Sequence, residues 1–389
     1  MLTKKVSKVF ILIVLLVSLL SLLKFNYCRA TNWASPGNYV HACYTDIPAL
    51  FSERDLDTNT FPYQSSYNSM EYPPIIGLGN WLISFITPQQ DSHRWFFDIN
   101  AFVIIILFLI SALIVRKIKP EFSYLYPVAP AVAASLFINW DLWATVTALA
   151  AIYLFDKKKY EASSIWLGIS IATKFFPIVF FLPIAIIFYK QRSLKDFYLY
   201  LFKSILIAAA FNLPLAVLYF DGWWRFFRLN LNRADDFGSI WYAANLLGFK
   251  LPAINYLYTI ITILLFIVLG FLLIKLPMTP KLAQVAFFAV VVFTTTSKVY
   301  SPQYVLWLTP LAVIALTKST QQITFWFWQA TEIIYHLAIW QYLAGYSGAT
   351  FGLPAGAYAI ASLLRVVGII TFTYLLLRDI SAKSTVKKS

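Results

Sequence analysis

The sequence predicts an all-α polytopic membrane protein with about twelve transmembrane helices and a first outer loop that carries juxtamembrane helices. Three observations predict it. Of the 389 residues, 60% are apolar and only 12% are charged, whereas a soluble domain is about a quarter charged. Segments such as 9–23 and 101–115 are long and nearly free of charge, as a hydrocarbon core requires. The basic residues fall in short clusters between apolar runs, the distribution that the positive-inside bias produces. The net charge of +14 therefore reflects topology, and no nucleic-acid partner is expected.

The chain reads as a single membrane domain over 1–389. An apolar run follows Lys4, Lys5 and Lys8 within residues 7–23, as in a signal peptide, but no small-residue cleavage site follows closely, and Ser35-Pro36 is a poor substitute. Residues 7–23 are read as a retained anchor. The basic clusters at 4–8, 116–119, 157–159, 190–195, 275–281, 318 and 383–388 are assigned to the cytoplasm. An even number of crossings must then separate neighbouring clusters. The crossings are 7–23, 96–115, 125–138, 141–155, 162–174, 177–189, 198–220, 253–275, 283–297, 302–317, 323–340 and 355–377. Pro177 disfavours helix at the residue before it, so the chain should break at Lys174-Phe175-Phe176-Pro177. The apolar stretch 72–86 would upset the parity; it is expected to lie on or dip into the outer leaflet, the alternative being that it crosses and another segment does not. Fourteen-residue segments rise only about 21 Å against about 30 Å of hydrocarbon, which implies a cavity entering the bilayer from one face. Residues 380–389 form a basic cytoplasmic tail.

The longest polar interval, 43–74, lies within the outer region 24–95 and carries Asp46, Glu53, Asp55, Asp57 and Glu71, five of the seventeen acidic residues. Carboxylates are costly near lipid, so the interval is a solvated loop or a working site. Cys28 and Cys43 are the only cysteines; they are either bridged on an oxidising side or two free thiols.

The topology gathers residues from six outer loops on one face: Asp46, Glu71, Asn139, Asp141, Lys174, Arg225, Arg228, Arg233, Asp235, Asp236, Lys298, Ser301 and Gln303. Cations on the outer side run against the positive-inside bias, and a bound anion would account for them. Each residue also has a plainer role. Asp46 before Ile47-Pro48 suits a helix start, and Glu71 suits a loop rim. Asp141 could tie a neighbouring cation, and Lys174 could snorkel to water. Arg225 and Arg228, in Trp223-Trp224-Arg225-Phe226-Phe227-Arg228, fit an interfacial aromatic belt equally well. Lys298 sits among hydroxyls and an amide in 296–304. Glu332 and His336 share a helix face, more suited to a packing tie than to a proton relay. The sequence has no Gly-rich nucleotide loop, HExxH motif or Cys/His cluster, so no metal or cofactor is expected.

Together the residues resemble the integral-membrane glycosyltransferases of the GT-C class. More narrowly, they resemble the actinobacterial polyprenyl-phosphate-mannose-dependent mannosyltransferases. The matching pieces run in order over roughly 40–310. They are Tyr44-Thr45-Asp46-Ile47, Phe61-Pro62-Tyr63, Glu71-Tyr72-Pro73-Pro74, Asn139-Trp140-Asp141-Leu142, Ala172-Thr173-Lys174-Phe175-Phe176-Pro177, Gly238-Ser239-Ile240-Trp241 and Ser301-Pro302-Gln303-Tyr304-Val305-Leu306-Trp307. The stretch beyond 310 adds little to the match.

The resemblance implies a multi-pass cell-membrane enzyme with its site on the extracytoplasmic side. Its donor would be a polyprenyl-phosphate sugar, mannose ahead of arabinose, and its acceptor a glycolipid or glycan. Asp46 matches the essential acid of the first outer loop, with Glu71 as a second catalytic acid. Lys174, Lys298, Arg225, Arg228 and Arg233 would hold the donor phosphate. Tyr72, Asn139, Asp141, Ser301, Gln303 and Tyr304 would line the substrate pocket. The chemistry agrees. A sugar hydroxyl is a weak nucleophile that a carboxylate can activate, and preorganised cations stabilise a departing phosphate. One base acting alone gives inversion, whereas two close carboxylates would suit retention. A transporter would show paired repeats around the midplane, and a scaffold would not need outer cations facing an acidic loop.

Overall fold

The computed structural model describes residues 7–386, with side chains as far as Ser381. The basic residues Lys4 and Lys5, and the side chains of the 383–388 cluster, lie outside the described residues. All regular structure among the described residues is helical. Four helices are long and apolar enough to cross a membrane: Ser92–Ile118, Leu194–Leu218, Ile254–Lys275 and Ala355–Ser381. Five shorter apolar helices accompany them, Lys8–Leu23, Pro74–Phe85, Phe176–Lys190, Leu282–Thr296 and Pro302–Ala315. The chain is a multi-pass membrane protein.

Burial sorts these helices by their surroundings. Leu282–Thr296 and Val305–Ala315 are apolar on nearly every side and mostly buried, the pattern of helices enclosed by other helices. They pack on each other at the centre of the bundle, with Asp141–Asp156 and Ser92–Ile118 against the second of them. Leu194–Leu218 and Ile254–Lys275 are peripheral and leave Phe202, Leu206, Leu213, Ile260, Ile263 and Ile267 exposed, as lipid-facing helices should. Lys8–Leu23 lies between these extremes. Phe10, Val14, Ser18 and Ser21 form its buried stripe, at the three-to-four spacing of one helix face, while Leu12, Leu16, Leu19 and Leu23 on other faces are exposed.

The segment 125–138, expected as a crossing, is built of two short helices, Leu125–Val128 and Pro130–Ser135. Pro130 accounts for the break: Ala129 before it is extended, at φ −62° and ψ 120°, as a residue preceding proline prefers. The break at Pro177 falls where it was predicted. Tyr160–Thr173 ends at Lys174, which is extended (φ −148°, ψ 139°), and the chain resumes as the 3-10 turn Phe176–Phe180. Pro74–Phe85 has twelve residues, a rise of only about 18 Å. Cys28 and Cys43 are bridged.

Asp141–Asp156 separates two chemically distinct ends of the bundle, about 24 Å apart along its sixteen residues. At its C-terminal end the basic loops meet: Lys117, Lys119, Lys157 and Lys281 face one cavity. Lys190 Nζ reaches the Ile274 and Leu276 carbonyls at 2.8 and 2.5 Å. At its N-terminal end sit Asn139 and Asp141, with the first polar loop folded over them.

Glu332 and His336 share a helix, Gln322–Tyr346, but have separate partners. Glu332 is buried against Arg365 at 2.6 Å and accepts from Trp328 Nε1 at 2.9 Å. His336 Nε2 accepts from Trp340 Nε1 at 3.1 Å and lies 3.5 Å from Lys24 Nζ. The tie expected of the Glu332–His336 pair is made instead between Glu332 and Arg365.

Candidate functional site

Asp46 opens the juxtamembrane helix Asp46–Glu53, and its backbone is anchored before its side chain is considered. The preceding Thr45 is the cap: its hydroxyl accepts from Ile47 N at 3.2 Å and donates to the Ile138 carbonyl at 3.1 Å. Asp46 N donates to the same carbonyl at 2.8 Å. With Thr45 capping the helix, the Asp46 carboxylate is left for other partners. Asn139 Nδ2 donates to Asp46 Oδ2 and to Tyr72 Oη, both at 2.6 Å, while Asn139 Oδ1 accepts from Trp140 N at 2.5 Å. Trp140 is held in turn by Asn100 Oδ1 at 2.7 Å. Asn139 thus clamps an acid from the first loop and a tyrosine from the Glu71-Tyr72-Pro73-Pro74 turn onto the central bundle.

The half-buried Asp46 carboxyl is pushed up to about 6. Burial is the largest cause. The hydrogen bond from Asn139 opposes it, the charge of Glu71 adds to it, and Tyr44 and Lys174 favour the ionised form. An acid poised near neutrality suits proton abstraction. Beside it the half-buried rings of Tyr39 and Tyr44 stack at 5.2 Å.

The second half of the site is a buried cation. Lys174 Nζ meets Asp141 Oδ1 at 2.6 Å and lies 5.2 Å from the Tyr72 ring centre and 5.4 Å from that of Trp307. Trp307 is stacked on both faces, by Phe176 at 4.1 Å and Tyr304 at 3.9 Å. Trp307 Nε1, Asp141 Oδ2 and Gln303 Oε1 are all buried without a hydrogen-bond partner. Unpaired buried polar atoms are costly, and Asp141 Oδ2 leaves this carboxylate with an open acceptor beside Lys174.

The remaining expected residues divide. Glu71 is paired with Arg54 at 2.5 Å, with Arg225 Nη2 at 4.0 Å. Arg225 also donates to the Tyr67 carbonyl, and Arg228 to that of Ser66 at 3.0 Å, so the amphipathic helix Phe220–Asn232 pins the first loop. Gly222 lets it approach, since a Cβ there would collide with the Tyr63 carbonyl. Arg233 pairs with Asp236 at 3.1 Å.

Lys298 is directed away from the Asp46 site. Its ammonium contacts the carbonyls of Asn230, Leu231 and Arg233 and Asn255 Oδ1, at 2.6–3.3 Å, which caps the C-terminus of Phe220–Asn232. Lys298→Met is therefore expected to loosen this helix, measured as faster proteolysis of the 230–236 segment, with a loss of about 1–3 kcal/mol.

Ser301 presents its carbonyl to Arg365 Nη2 at 3.0 Å, and Tyr300 presents its own to Nη1 at 2.5 Å. Arg365 and Arg54 were not among the residues expected from sequence. A lone arginine inside the apolar run 355–377 was a usable signal, because a charge within a span calls for a partner. Arg54 lay in view between Glu53 and Asp55.

No protein-family model matches the chain, and no curated protein matches it. A crystal structure of ArnT from Cupriavidus metallidurans bound to undecaprenyl phosphate is similar to it at 14% identity and a TM-score of 0.49. The similarity covers 96% of this chain and 77% of that one.

Proposed function

We propose that the protein is a membrane glycosyltransferase that moves a sugar, mannose in the leading reading, from a polyprenyl-phosphate donor to a glycolipid or glycan acceptor on the extracytoplasmic face. The observation that carries the reading is the pairing of a near-neutral acid, Asp46, with a buried cation, Lys174, across Asn139 and Tyr72. In the proposed step Asp46 takes the proton of the acceptor hydroxyl as its oxygen bonds to the anomeric carbon. The bond from that carbon to the phosphate oxygen breaks, and polyprenyl phosphate leaves with the electron pair. Lys174, with Arg54 and Arg225 beside the first loop, would stabilise the charge that develops. Glu71 is held by Arg54, which favours Asp46 as the sole base and hence inversion. The stacked Tyr39 and Tyr44 rings offer an apolar face for the acceptor sugar.

The test is transfer of radiolabel from polyprenyl-phosphate mannose, and in parallel from polyprenyl-phosphate arabinose, to glycolipid in membranes carrying the protein. Mannose transfer supports the full reading, arabinose transfer corrects the sugar, and transfer of neither removes both sugars and points first to a different one. The pH profile gives an independent check. A base must be ionised, so the rate should rise with pH through the Asp46 value of about 6 and level off above it. A rate unchanged between about pH 4.5 and 8 would rule out Asp46 as the base.

A further inference from the structure

The end of the bundle opposite Asp46 carries chemistry that the transfer reaction does not use. Loops near 117, 157 and 281 converge there on a cavity of about 170 Å³, room for roughly six waters or one phosphate group. Lys117, Lys119, Lys157 and Lys281 line it, with Asp156 as its one acid. The Asp156 oxygens accept from the amides of Leu282 at 2.9 Å and Ala283 at 3.1 Å, so that carboxylate is engaged by the start of Leu282–Thr296. Lys119 has the exposed Glu121 at 3.9 Å. Among the described residues, Lys117, Lys157 and Lys281 have no carboxylate within ion-pair distance.

Topology alone asks for lysines in these loops but not for a concavity that they share. Beside the lysines the lining includes the apolar Ile118 and the buried Ile314. A cavity lined by both lysines and isoleucines, at the ends of Ser92–Ile118 and Asp141–Asp156, suits a phosphodiester attached to hydrocarbon. Basic pockets between membrane helices recognise anionic lipid headgroups in this way.

We propose that this cavity binds the phosphate headgroup of an anionic phospholipid in the leaflet on the basic face. The site is independent of the transfer reaction. The test places the full chain in nanodiscs of phosphatidylcholine with a minor share of phosphatidylglycerol and reads retained lipid by native mass spectrometry. Wild type should retain phosphatidylglycerol selectively. The Lys117→Gln/Lys157→Gln/Lys281→Gln variant should lose that selectivity by on the order of 100-fold. Lys158→Gln/Lys195→Gln, outside the cavity, should keep it. Should the triple variant not fold, Lys157→Gln alone should show a several-fold loss. Equal retention in wild type and the variants lining the cavity, or an equal loss in the control pair, would overturn the proposal. So would displacement of the lipid by inorganic phosphate, which would mark a free-anion pocket.

Discussion

Asp46→Asn is expected to lower sugar transfer by about 10²–10⁴-fold, the usual contribution of a general base, in a protein that folds at least as well as wild type. The substitution preserves shape, and an asparagine oxygen can still accept from Asn139 Nδ2, now 2.6 Å from Asp46 Oδ2. What is lost is the lone pair able to take a proton. Stability should move the other way. The Asp46 carboxyl titrates near 6 in the folded protein against 3.8 ordinarily, so the folded state binds this proton more tightly than the unfolded chain. Folding free energy from this group falls as pH rises from about 4 to 6, and the full penalty is present above that. An amide in place of the carboxyl cannot ionise and escapes the penalty. The melting temperature of Asp46→Asn should therefore exceed that of wild type at neutral pH, with the gap closing near pH 4. A variant that transfers normally removes Asp46 from the mechanism. One that is inactive and also less stable at neutral pH assigns Asp46 a structural role.

Much of this site is legible in the sequence because its parts carry local signals. Pro177 announces the break that leaves Lys174 extended at a helix end. Asn139 and Asp141 occupy a polar tip between apolar runs, and Asp46 precedes Ile47-Pro48, so alternation of apolar and polar segments brings all four to one end. What was hidden depends on direction within that end. Lys298 and Lys174 look alike in sequence, each a single outer lysine among aromatic and hydroxylic neighbours. One ammonium turns to the open carbonyls of a helix terminus and the other to a carboxylate. Helix ends leave carbonyls unpaired in every fold, and which cation fills them is decided by packing between elements far apart in the chain. In 125–138 hydropathy suits a crossing, while Pro130 breaks the helix within it, so the same residues specify an apolar segment and an interruption.

Arg365→Met is expected to destabilise the protein by about 3–5 kcal/mol, the cost of breaking a buried ion pair by removing one partner. The guanidinium is fully buried and makes three charge-assisted contacts, to Glu332 Oε2 at 2.6 Å and to the Tyr300 and Ser301 carbonyls. Its carbon lies 3.4 Å from the Tyr300 ring centre and 4.2 Å from that of Tyr335. Methionine fills part of the volume but strands Glu332, whose remaining donors are Trp328 Nε1 and Tyr300 Oη. It also frees the Tyr300-Ser301 backbone, which leads through Gln303 and Tyr304 to Trp307 beside Lys174. Arg365→Lys keeps the charge, but one ammonium cannot reproduce a planar fork that spans a carboxylate and two carbonyls, so it should recover only part of the loss. The double variant Arg365→Met/Glu332→Gln separates charge burial from geometry. Replacing both partners of a buried pair costs less than removing one, so it should be more stable than Arg365→Met in thermal unfolding by intrinsic fluorescence. If stability returns in the double variant and transfer does not, the contribution of Arg365 to the site is its hold on the two carbonyls. If both return, the pair serves the fold alone. A single variant within about 1 kcal/mol of wild type would show that the pair adds little to stability.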